Sequence, residues 1–359
     1  MKNEKYIMIT LAIDTSCDET ACAVVQDNKI LSNIIWSQAS AHAKFGGVMP
    51  SLAQRMHEER IDWVVSRAMV NAKCKMENLD CLAVTVGPGL SIALGVGINK
   101  AKELAKKYNK PLVPVNHLEG HLFSSFTEFG MQNAEFGKTR FQIPDSRFPM
   151  LGLVISGGNT VLVKINKIGE YETLAQTSDD ALGEGLDKAA RMLGLGYPGG
   201  AILEKMARLG DPNKYKLPVP MIGHEDRQIF SYSGLKTSLM RKVHEFRIQN
   251  LEFGKQEICD LASAFQDVAF QHLIRVIKYQ ILHSRFQIHD MLVGGGVSAN
   301  AEVRKRLRKL GKEFGIKVHF PTSRKLYGDN AGMIGLVANL NPKFAKDIDL
   351  VDRNPNLKF

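Results

Sequence analysis

The stretch IMITLAIDTSCDETACAVVQ, residues 7–26, places two apolar runs on either side of a short polar turn. Continuous apolar runs bounded by polar turns are typical of buried β-strands. The stretch MLGLVISGGNTVLVKI, residues 150–165, repeats this arrangement, with SGGNT as its turn. Two halves of the chain therefore begin in the same way, and each half is predicted to form an α/β unit around its own sheet.

Helical and strand patterns alternate after each of these openings. In the first half, the apolar segments CLAVTVG at 81–87 and PLVPVN at 111–116 are strands separated by a helical pattern. In the second half, a helical pattern at 257–281 precedes the strand DMLVGGG at 290–296 and a basic helix from residue 300. This alternation predicts the α/β class, with two lobes and a cleft between them.

The predicted organisation has a first lobe at 8–123 and a second lobe at 150–328, with a last helix at 329–340 that packs back on the first lobe. Residues 124–149 are polar, poorly periodic and interrupted by Gly and Pro, which predicts a linker or a loop insertion. Residues 341–359 are expected to form an irregular tail.

Composition narrows the class of protein. The 359-residue chain has a net charge of +10, which favours a polyanionic partner through counterion release. Its five cysteines include no pair at CxxC spacing, which argues against a disulfide framework and against a thiolate zinc site. No apolar stretch is long enough to span a membrane. We therefore expect a soluble, cytoplasmic protein without a membrane partner.

Three turns place small or hydroxylated residues directly after buried strands: DTSCDET at 14–20, SGGNT at 156–160 and GGGVSAN at 294–300. Glycine has no Cβ, so backbone N–H groups in such turns can approach an anion closely. One such turn is weak evidence. Two turns that open similar halves, with a third that closes the second half, resemble the actin-like ATPase (ASKHA) architecture, in which a nucleotide lies between duplicated ribonuclease-H-like lobes.

The segment NHLEGH places His117 and His121 four residues apart. If a helix begins there, both imidazoles project from one face and can share a metal ion, although this spacing also occurs on ordinary helix surfaces. Glu119 does not occupy the position of the glutamate in the HExxH zinc-protease motif. Asp329, at the start of the last predicted helix, is a candidate third ligand. Two imidazoles and a carboxylate suit iron, zinc or manganese.

Together these motifs closely resemble the tRNA N6-adenosine threonylcarbamoyltransferase family (TsaD type), formerly named O-sialoglycoprotein endopeptidase or Gcp. The resemblance covers nearly the whole chain, and both the order and the spacing of the motifs agree. The motifs are DTSCDET, HAKFGGVMPSLAQRMH at 42–57, GPGLSIALGVG at 87–97, HLEGH, SGGNT, DKAARMLGLGYPGG at 187–200, FSYSGLKTS at 230–238, GGGVSAN and GDNAGM at 328–333.

The resemblance implies an acyltransferase with a defined donor and acceptor. The threonylcarbamoyl group would pass from threonylcarbamoyl-AMP to the N6 amine of the adenosine next to the anticodon, in tRNAs that read ANN codons. The products would be t6A and AMP. The resemblance also implies three macromolecular partners, namely tRNA, a paralogous actin-like subunit of the TsaB type and a P-loop ATPase of the TsaE type.

The resemblance assigns roles to particular residues. His117, His121 and Asp329 correspond to the ligands of one divalent metal ion, which is Fe²⁺ by resemblance, with zinc and manganese as alternatives. Asp18 and Glu19 correspond to carboxylates near the active centre and are candidate catalytic residues. The residues implied to hold threonylcarbamoyl-AMP are Val154, Ile155, Ser156, Gly157, Gly158, Asp187, Gly200 and Asn300.

The chain also departs from the family pattern. Asn159 stands where the family has His, Asp14 where it usually has Glu, and Gly332 where it has Ala. Met49 and the 124–149 segment depart as well. The change at 159 alters one polar side chain beside the expected ligand.

Two other interpretations of the sequence compete with membership of the threonylcarbamoyltransferase family. The nucleotide-binding turns alone would also suit an actin-like, ATP-dependent small-molecule kinase or ATPase, but such an enzyme has no need of a paired-histidine metal site. A non-catalytic scaffold paralogue would be expected to lack the metal ligands, whereas His117, His121 and Asp329 are all present.

Overall fold

The computed structural model describes residues 7–129, 143–248 and 254–359. Residues 130–142 of the predicted linker lie outside the described residues. The chain divides into two compact units. Unit 1 comprises Met1–Phe148, Lys167–Tyr171 and Phe320–Phe359, and unit 2 comprises Pro149–Asn166 and Glu172–His319. Residues 320–328, placed in the second lobe by the sequence, group with unit 1.

The secondary structure alternates as the sequence patterns suggest. The strands are β1 (Ile9–Asp14), β2 (Glu19–Gln26), β3 (Lys29–Ser37), β4 (Cys81–Gly87), β5 (Leu112–Asn116), β6 (Glu128–Phe129), β7 (Met150–Ile155), β8 (Thr160–Lys167), β9 (Glu170–Thr177), β10 (Ile229–Phe230), β11 (Asp290–Gly294) and β12 (Lys317–His319). The helices are α1 (Ala39–Ala43), α2 (Pro50–Ala72), α3 (Ser91–Lys107), α4 (His117–Phe123), α5 (Leu182–Met192), α6 (Gly200–Ala207), α7 (Ser233–Ile248), α8 (Lys255–Leu282), α9 (Ala301–Phe314) and α10 (Ala331–Leu340). Short 3₁₀ turns lie at Met76–Asn78, Ser124–Phe126, Asp145–Arg147, Glu225–Arg227, Gly296–Ala299, Arg324–Leu326 and Ile348–Leu350.

The sheet of unit 1 has the strand order β5-β4-β1-β2-β3-β6. Strands β1, β2 and β3 form an antiparallel meander, and β4 and β5 extend the sheet parallel to β1. The carboxyl ends of β1 and β5 therefore lie at the same edge. Asp14 ends β1 and His117 follows β5, so the topology places both residues at this edge.

The sheet of unit 2 has the strand order β10-β9-β8-β7-β11-β12. Its run β9-β8-β7-β11-β12 corresponds to β3-β2-β1-β4-β5 of unit 1, so the repeated opening of the sequence reflects a repeated topology. Strands β7 and β11 are parallel, with Gly294 opposite Val154. The turns that follow these two strands, SGGNT and GGGVSAN, consequently lie at one edge of the sheet.

Helices cover the central strands of unit 1. Helices α2 and α3 pack against β2 and β4, and α10 packs against β1, β2 and α4. In β1, the side chains of Leu11, Ala12 and Ile13 are completely buried, and that of Ile9 at the start of the strand is partly buried. Within the part of the chain that is described, no helix combines the length and the apolar character that crossing a membrane requires.

The segment after α10 lies along unit 1 through backbone hydrogen bonds. The amide of Ala345 donates to Leu112 O at 2.8 Å, and the amide of Asn354 donates to Val86 O at 2.7 Å. Gly87 has φ +154°, and a Cβ there would lie 1.9 Å from Asn354 O. The absence of a side chain at Gly87 therefore allows the tail to lie directly on the end of β4.

Candidate active site

A short helix presents the two histidines of the HLEGH segment. The side chain of Asn116 caps α4 by accepting a hydrogen bond from the Leu118 amide at 2.9 Å, so the helix begins at His117. His117 and His121 are then one turn apart on the same face. Their ring centroids are 4.6 Å apart and their planes are inclined by 79°.

Asp329 reaches both imidazoles from the segment before α10. Its Oδ1 lies 3.3 Å from His117 Nε2 and 3.2 Å from His121 Nε2. The three candidate ligand atoms all lie within 4.8 Å of one another. Atoms bonded to one ion at about 2.0–2.1 Å are roughly 3.0–3.4 Å apart in octahedral or tetrahedral geometry. The two separations from Asp329 Oδ1 fall within this range, as expected of a carboxylate oxygen that shares one ion with each imidazole.

The buried imidazole of His121 supports this fit. His121 is completely buried, and neither of its ring nitrogens makes an aligned hydrogen bond with any described residue. Burying an imidazole without partners is costly. Its Nε2 is close to Asp329 Oδ1 without hydrogen-bond alignment, as expected of two atoms that converge on a third centre. A bound cation at that centre would provide the missing partner.

The electrostatics of the cluster match the needs of a cation. Burial lowers the pKa of His117, but Asp329 and Asp14 outweigh burial and raise that pKa to about 10. Burial lowers the pKa of His121, with Asp329 opposing. Burial raises the pKa of Asp329, but the two histidines hold it well below its usual range. The anionic carboxylate thus attracts positive charge at His117 Nε2, a position that either a proton or a metal ion can occupy.

Glu19 lies within electrostatic reach of this cluster. Burial raises the pKa of Glu19 well above its ordinary value, and the carboxylates of Asp329 and Asp18 raise it further. Ser37 Oγ donates a hydrogen bond to Glu19 Oε1 at 3.1 Å. The main-chain oxygen of Asp18 accepts from the Gln38 amide at 2.9 Å. A raised pKa makes a carboxylate a stronger base, so Glu19 is a candidate general base.

His57, which the sequence analysis did not identify as a site residue, holds the DTSCDET turn in place. His57 of α2 lies with Nδ1 2.7 Å from Thr20 Oγ1 and with Nε2 3.0 Å from Cys17 O. Burial lowers the pKa of His57, which favours the neutral ring. The sequence feature that could have identified His57 is its position as a polar residue on the buried face of a helical pattern, at the end of the 42–57 segment.

The SGGNT turn of unit 2 leaves open space above its glycines. The Ser156 amide donates to Asn159 O at 2.8 Å, and the Asn159 amide donates to Ser156 Oγ at 3.1 Å. Gly157 and Gly158 are exposed, and a Cβ at either position would meet nothing within 4 Å. The side chains of Val154 and Ile155 are buried in β7, so only their backbones can contact a ligand.

Asp187 and Gly200 contact each other directly. Asp187 Oδ1 accepts hydrogen bonds from the Gly199 amide at 2.9 Å and from the Gly200 amide at 2.7 Å. The carboxylate on α5 thereby satisfies amides at the start of α6 and fixes the turn between the two helices.

Asn300 is also held firmly. Its Oδ1 accepts from the amides of Glu302 at 2.9 Å and Val303 at 3.2 Å, and caps α9. Its Nδ2 donates to Gln266 Oε1 at 2.8 Å.

The predicted site residues divide between the two units. The residues predicted from the second half to bind the adenylate all belong to unit 2, namely Val154–Gly158, Asp187, Gly200 and Asn300. Asp18, Glu19 and the candidate metal ligands belong to unit 1.

One departure from the family pattern has a packing explanation. A Cβ at Gly332 would lie 2.5 Å from Ile30 Cδ1. The buried Ile30 side chain thus occupies the space that an alanine at 332 would need.

Gly120 allows α4 to approach α10 closely. A Cβ at Gly120 would lie 2.9 Å from Met333 Cγ and 3.0 Å from Ile334 Cδ1. Gly120→Ala is therefore expected to lower the free energy of unfolding by about 1–3 kcal/mol through overpacking. Because α4 carries both histidines, the same change should weaken metal binding. Thermal unfolding and titration with Co²⁺ measure the two effects.

Gly234 in α7 provides a matched control for that substitution, because a Cβ there would meet nothing within 4 Å. Gly234→Ala should not lower the stability of the protein, because alanine is the better helix former, and it should keep the Co²⁺ affinity of the parent. Parental stability and affinity in Gly120→Ala would show that the contact between α4 and α10 does not position the histidines.

A family sequence profile and individual related proteins that match this chain carry the same description. Residues 29–336 match the sequence profile of a family described as tRNA N6-adenosine threonylcarbamoyltransferase. Relatives with this description include a protein of Thermosynechococcus vestitus, 42% identical over 91% of this chain and 88% of its own length. Another, from Thermosipho africanus, is 38% identical over 98% of this chain and all of its own length.

Two solved structures show the fold. Component A of (R)-2-hydroxyglutaryl-CoA dehydratase from Acidaminococcus fermentans aligns with a TM-score of 0.51 at 15% identity, over 92% of this chain and 98% of its own. HypF of T. kodakarensis aligns with a TM-score of 0.55 at 14% identity, over 93% of this chain and 47% of its own. Both have the actin-like ATPase fold, and the predicted α/β class is confirmed.

Proposed function

We propose, from the premise that this chain belongs to the tRNA N6-adenosine threonylcarbamoyltransferase family, that His117, His121 and Asp329 bind a divalent metal ion that serves its reaction. The enzyme transfers a threonylcarbamoyl group to the N6 amine of adenosine in tRNA. The observation that carries the metal proposal is the convergence of three buried or half-buried ligand atoms within 4.8 Å. By resemblance the ion is Fe²⁺, and zinc and manganese suit the same ligands.

The donor in this proposal is threonylcarbamoyl-AMP. The purine-conjugated amine of adenosine is a poor nucleophile, so the carbonyl that it attacks needs activation. A divalent ion with open coordination positions supplies Lewis-acid polarisation of such an oxygen. The amine forms a C–N bond to the carbamoyl carbon, the bond from that carbon to the AMP oxygen breaks, and the amine loses one proton.

We assign proton acceptance to Glu19 or Asp18. The raised pKa of Glu19, caused first by burial and then by Asp329 and Asp18, supports Glu19 because a higher pKa makes the carboxylate a stronger proton acceptor. Asp18 is adjacent in the same turn and partly exposed. Its contribution to this proposal is the negative charge that raises the pKa of Glu19.

We assign recognition of the adenylate to the strand-end turns of unit 2. The exposed amides of Gly157 and Gly158 can donate to phosphate or carboxylate oxygens. Asp187 and Gly200 define the turn before α6, and Asn300 defines the start of α9. The adenylate would contact Val154–Gly158 through the backbone and would lie near the other three residues.

Helix α9 supports contact with tRNA. Lys305, Lys309 and Lys312 are exposed at i, i+4 and i+7 spacing, so they form one basic face. Such a face attracts phosphates without reading sequence. We further propose that a paralogous actin-like subunit of the TsaB type and a P-loop ATPase of the TsaE type act with this enzyme in the cytoplasm.

A nucleoside assay tests the proposed function. The purified protein is incubated with threonylcarbamoyl-AMP and unmodified tRNA, with and without the two partner proteins, and the tRNA is digested for mass spectrometry. We expect t6A and stoichiometric AMP only when this chain is present. Equal t6A formation in its absence would overturn the proposal, as would phosphorylation of a small molecule with no modification of tRNA.

A further inference from the structure

Asp14 is a buried carboxylate on the far side of His117 from Asp329. It ends β1 and is completely buried. Its Oδ1 accepts a hydrogen bond from the Ser16 amide at 3.2 Å, and its Oδ2 lies 3.6 Å from His117 Nδ1. The two ring nitrogens of His117 therefore face two different carboxylates, Nδ1 facing Asp14 and Nε2 facing Asp329.

The two facing atoms, Asp14 Oδ2 and His117 Nδ1, are both buried without a hydrogen-bond partner among the described residues. A carboxylate oxygen and a ring nitrogen that are buried without partners both carry a large desolvation cost. An N–H at Nδ1 directed at Oδ2 relieves both costs, and the 3.6 Å separation closes to hydrogen-bond length with a small movement of either side chain.

The position of Asp14 distinguishes it from the candidate ligands. Nδ1 and Nε2 point in different directions from the ring, so a carboxylate that faces Nδ1 cannot share an ion with one that faces Nε2. Asp14 therefore lies outside the coordination shell. Fixing the proton on Nδ1 leaves the Nε2 lone pair directed toward Asp329, as ligand binding requires.

We infer that Asp14 is a positioning residue, which fixes the tautomer and the ring orientation of His117 for metal binding. This inference rests on the proposed metal site and adds a fourth residue to it. The role requires a carboxylate at position 14, and Asp14 supplies one although the family usually has Glu there.

Three variants of the full chain test the inference, with Co²⁺ as the probe. Asp14→Asn keeps the shape and the bond from the Ser16 amide, but it presents an amide N–H to Nδ1 and so favours the tautomer with its proton on Nε2. Asp14→Glu keeps the carboxylate. Asp80→Asn is the control, because Asp80 Oδ2 accepts from the Ile9 amide at 2.7 Å at the opposite end of β1.

We expect Asp14→Asn to bind Co²⁺ about 10- to 100-fold more weakly than the parent, while cooperative thermal unfolding shows that the metal-free variant is folded. Asp14→Glu and Asp80→Asn should stay within about threefold of the parent, well below the loss typical of a missing outer-shell partner. Parental affinity in Asp14→Asn would overturn the inference, and so would equal losses in Asp14→Asn and Asp14→Glu. A parent that binds no Co²⁺ would instead refute the metal site itself.

Discussion

Replacement of His121 by alanine is expected to abolish metal binding and to reduce tRNA modification roughly 1,000-fold, because several kcal/mol of transition-state stabilisation by a Lewis acid are lost together with the ligand. Two ligands, His117 and Asp329, would remain. They lie 3.3 Å apart and would then form an ordinary ion pair. Metal analysis of the purified variant and the nucleoside assay measure the two losses independently.

His42 provides the control for His121→Ala. It is equally buried and belongs to the same unit, but its ring bonds to Gln38 Oε1 at 3.0 Å rather than to the triad. His42→Ala creates a similar cavity and should retain bound metal. Loss of metal from both variants would attribute the effect to destabilisation of unit 1. A His121→Ala protein that modifies tRNA at the parental rate without metal would exclude the proposed metal chemistry.

Gly183→Ala is expected to weaken binding of threonylcarbamoyl-AMP by roughly 10- to 100-fold, from an overpacking cost of about 1–3 kcal/mol. A Cβ at Gly183 would lie 2.4 Å from Ser156 O and 2.9 Å from Gly157 Cα. The Gly183 amide also donates to Ser156 O at 3.2 Å. The added methyl group must therefore displace the SGGNT turn. Calorimetric titration with AMP, and with a stable analogue of the donor, measures the effect.

Gly185→Ala is the matched control on the same helix. A Cβ at Gly185 would meet Tyr232 Cβ at 3.4 Å, an ordinary contact, and the change in helix propensity is the same as at Gly183. Its affinity for AMP should equal that of the parent. Unchanged affinity in Gly183→Ala, with the variant folded, would remove the SGGNT turn from the binding site. Metal binding in unit 1 should be unaffected by either variant.

Much of the fold could be predicted from periodicity. The segments CLAVTVG and DMLVGGG correctly predict β4 and β11, because central parallel strands are continuous apolar runs. Strands β10 and β12 could not be found this way, because they are two and three residues long and their pairing depends on neighbours distant in sequence. The helix over Ser233–Ile248 was also missed, since its apolar residues are interrupted by charges.

The candidate site could be predicted only in part. The four-residue spacing of His117 and His121 predicts that the two rings share a face, and α4 has that geometry. The proximity of Asp329 came from family resemblance, because no local pattern brings α10 against α4. The contact of Asp14 with His117 was missed for the same reason, as it depends on β1 and β5 ending at one edge of the sheet.

The most direct test of the account is the position of the metal. Crystals of the full chain grown with Mn²⁺ or Co²⁺ allow the ion to be located by anomalous scattering. We predict one strong peak about 2.0–2.2 Å from Nε2 of His117, Nε2 of His121 and a carboxylate oxygen of Asp329. A peak bound by other residues, with these three side chains unliganded, would contradict the account.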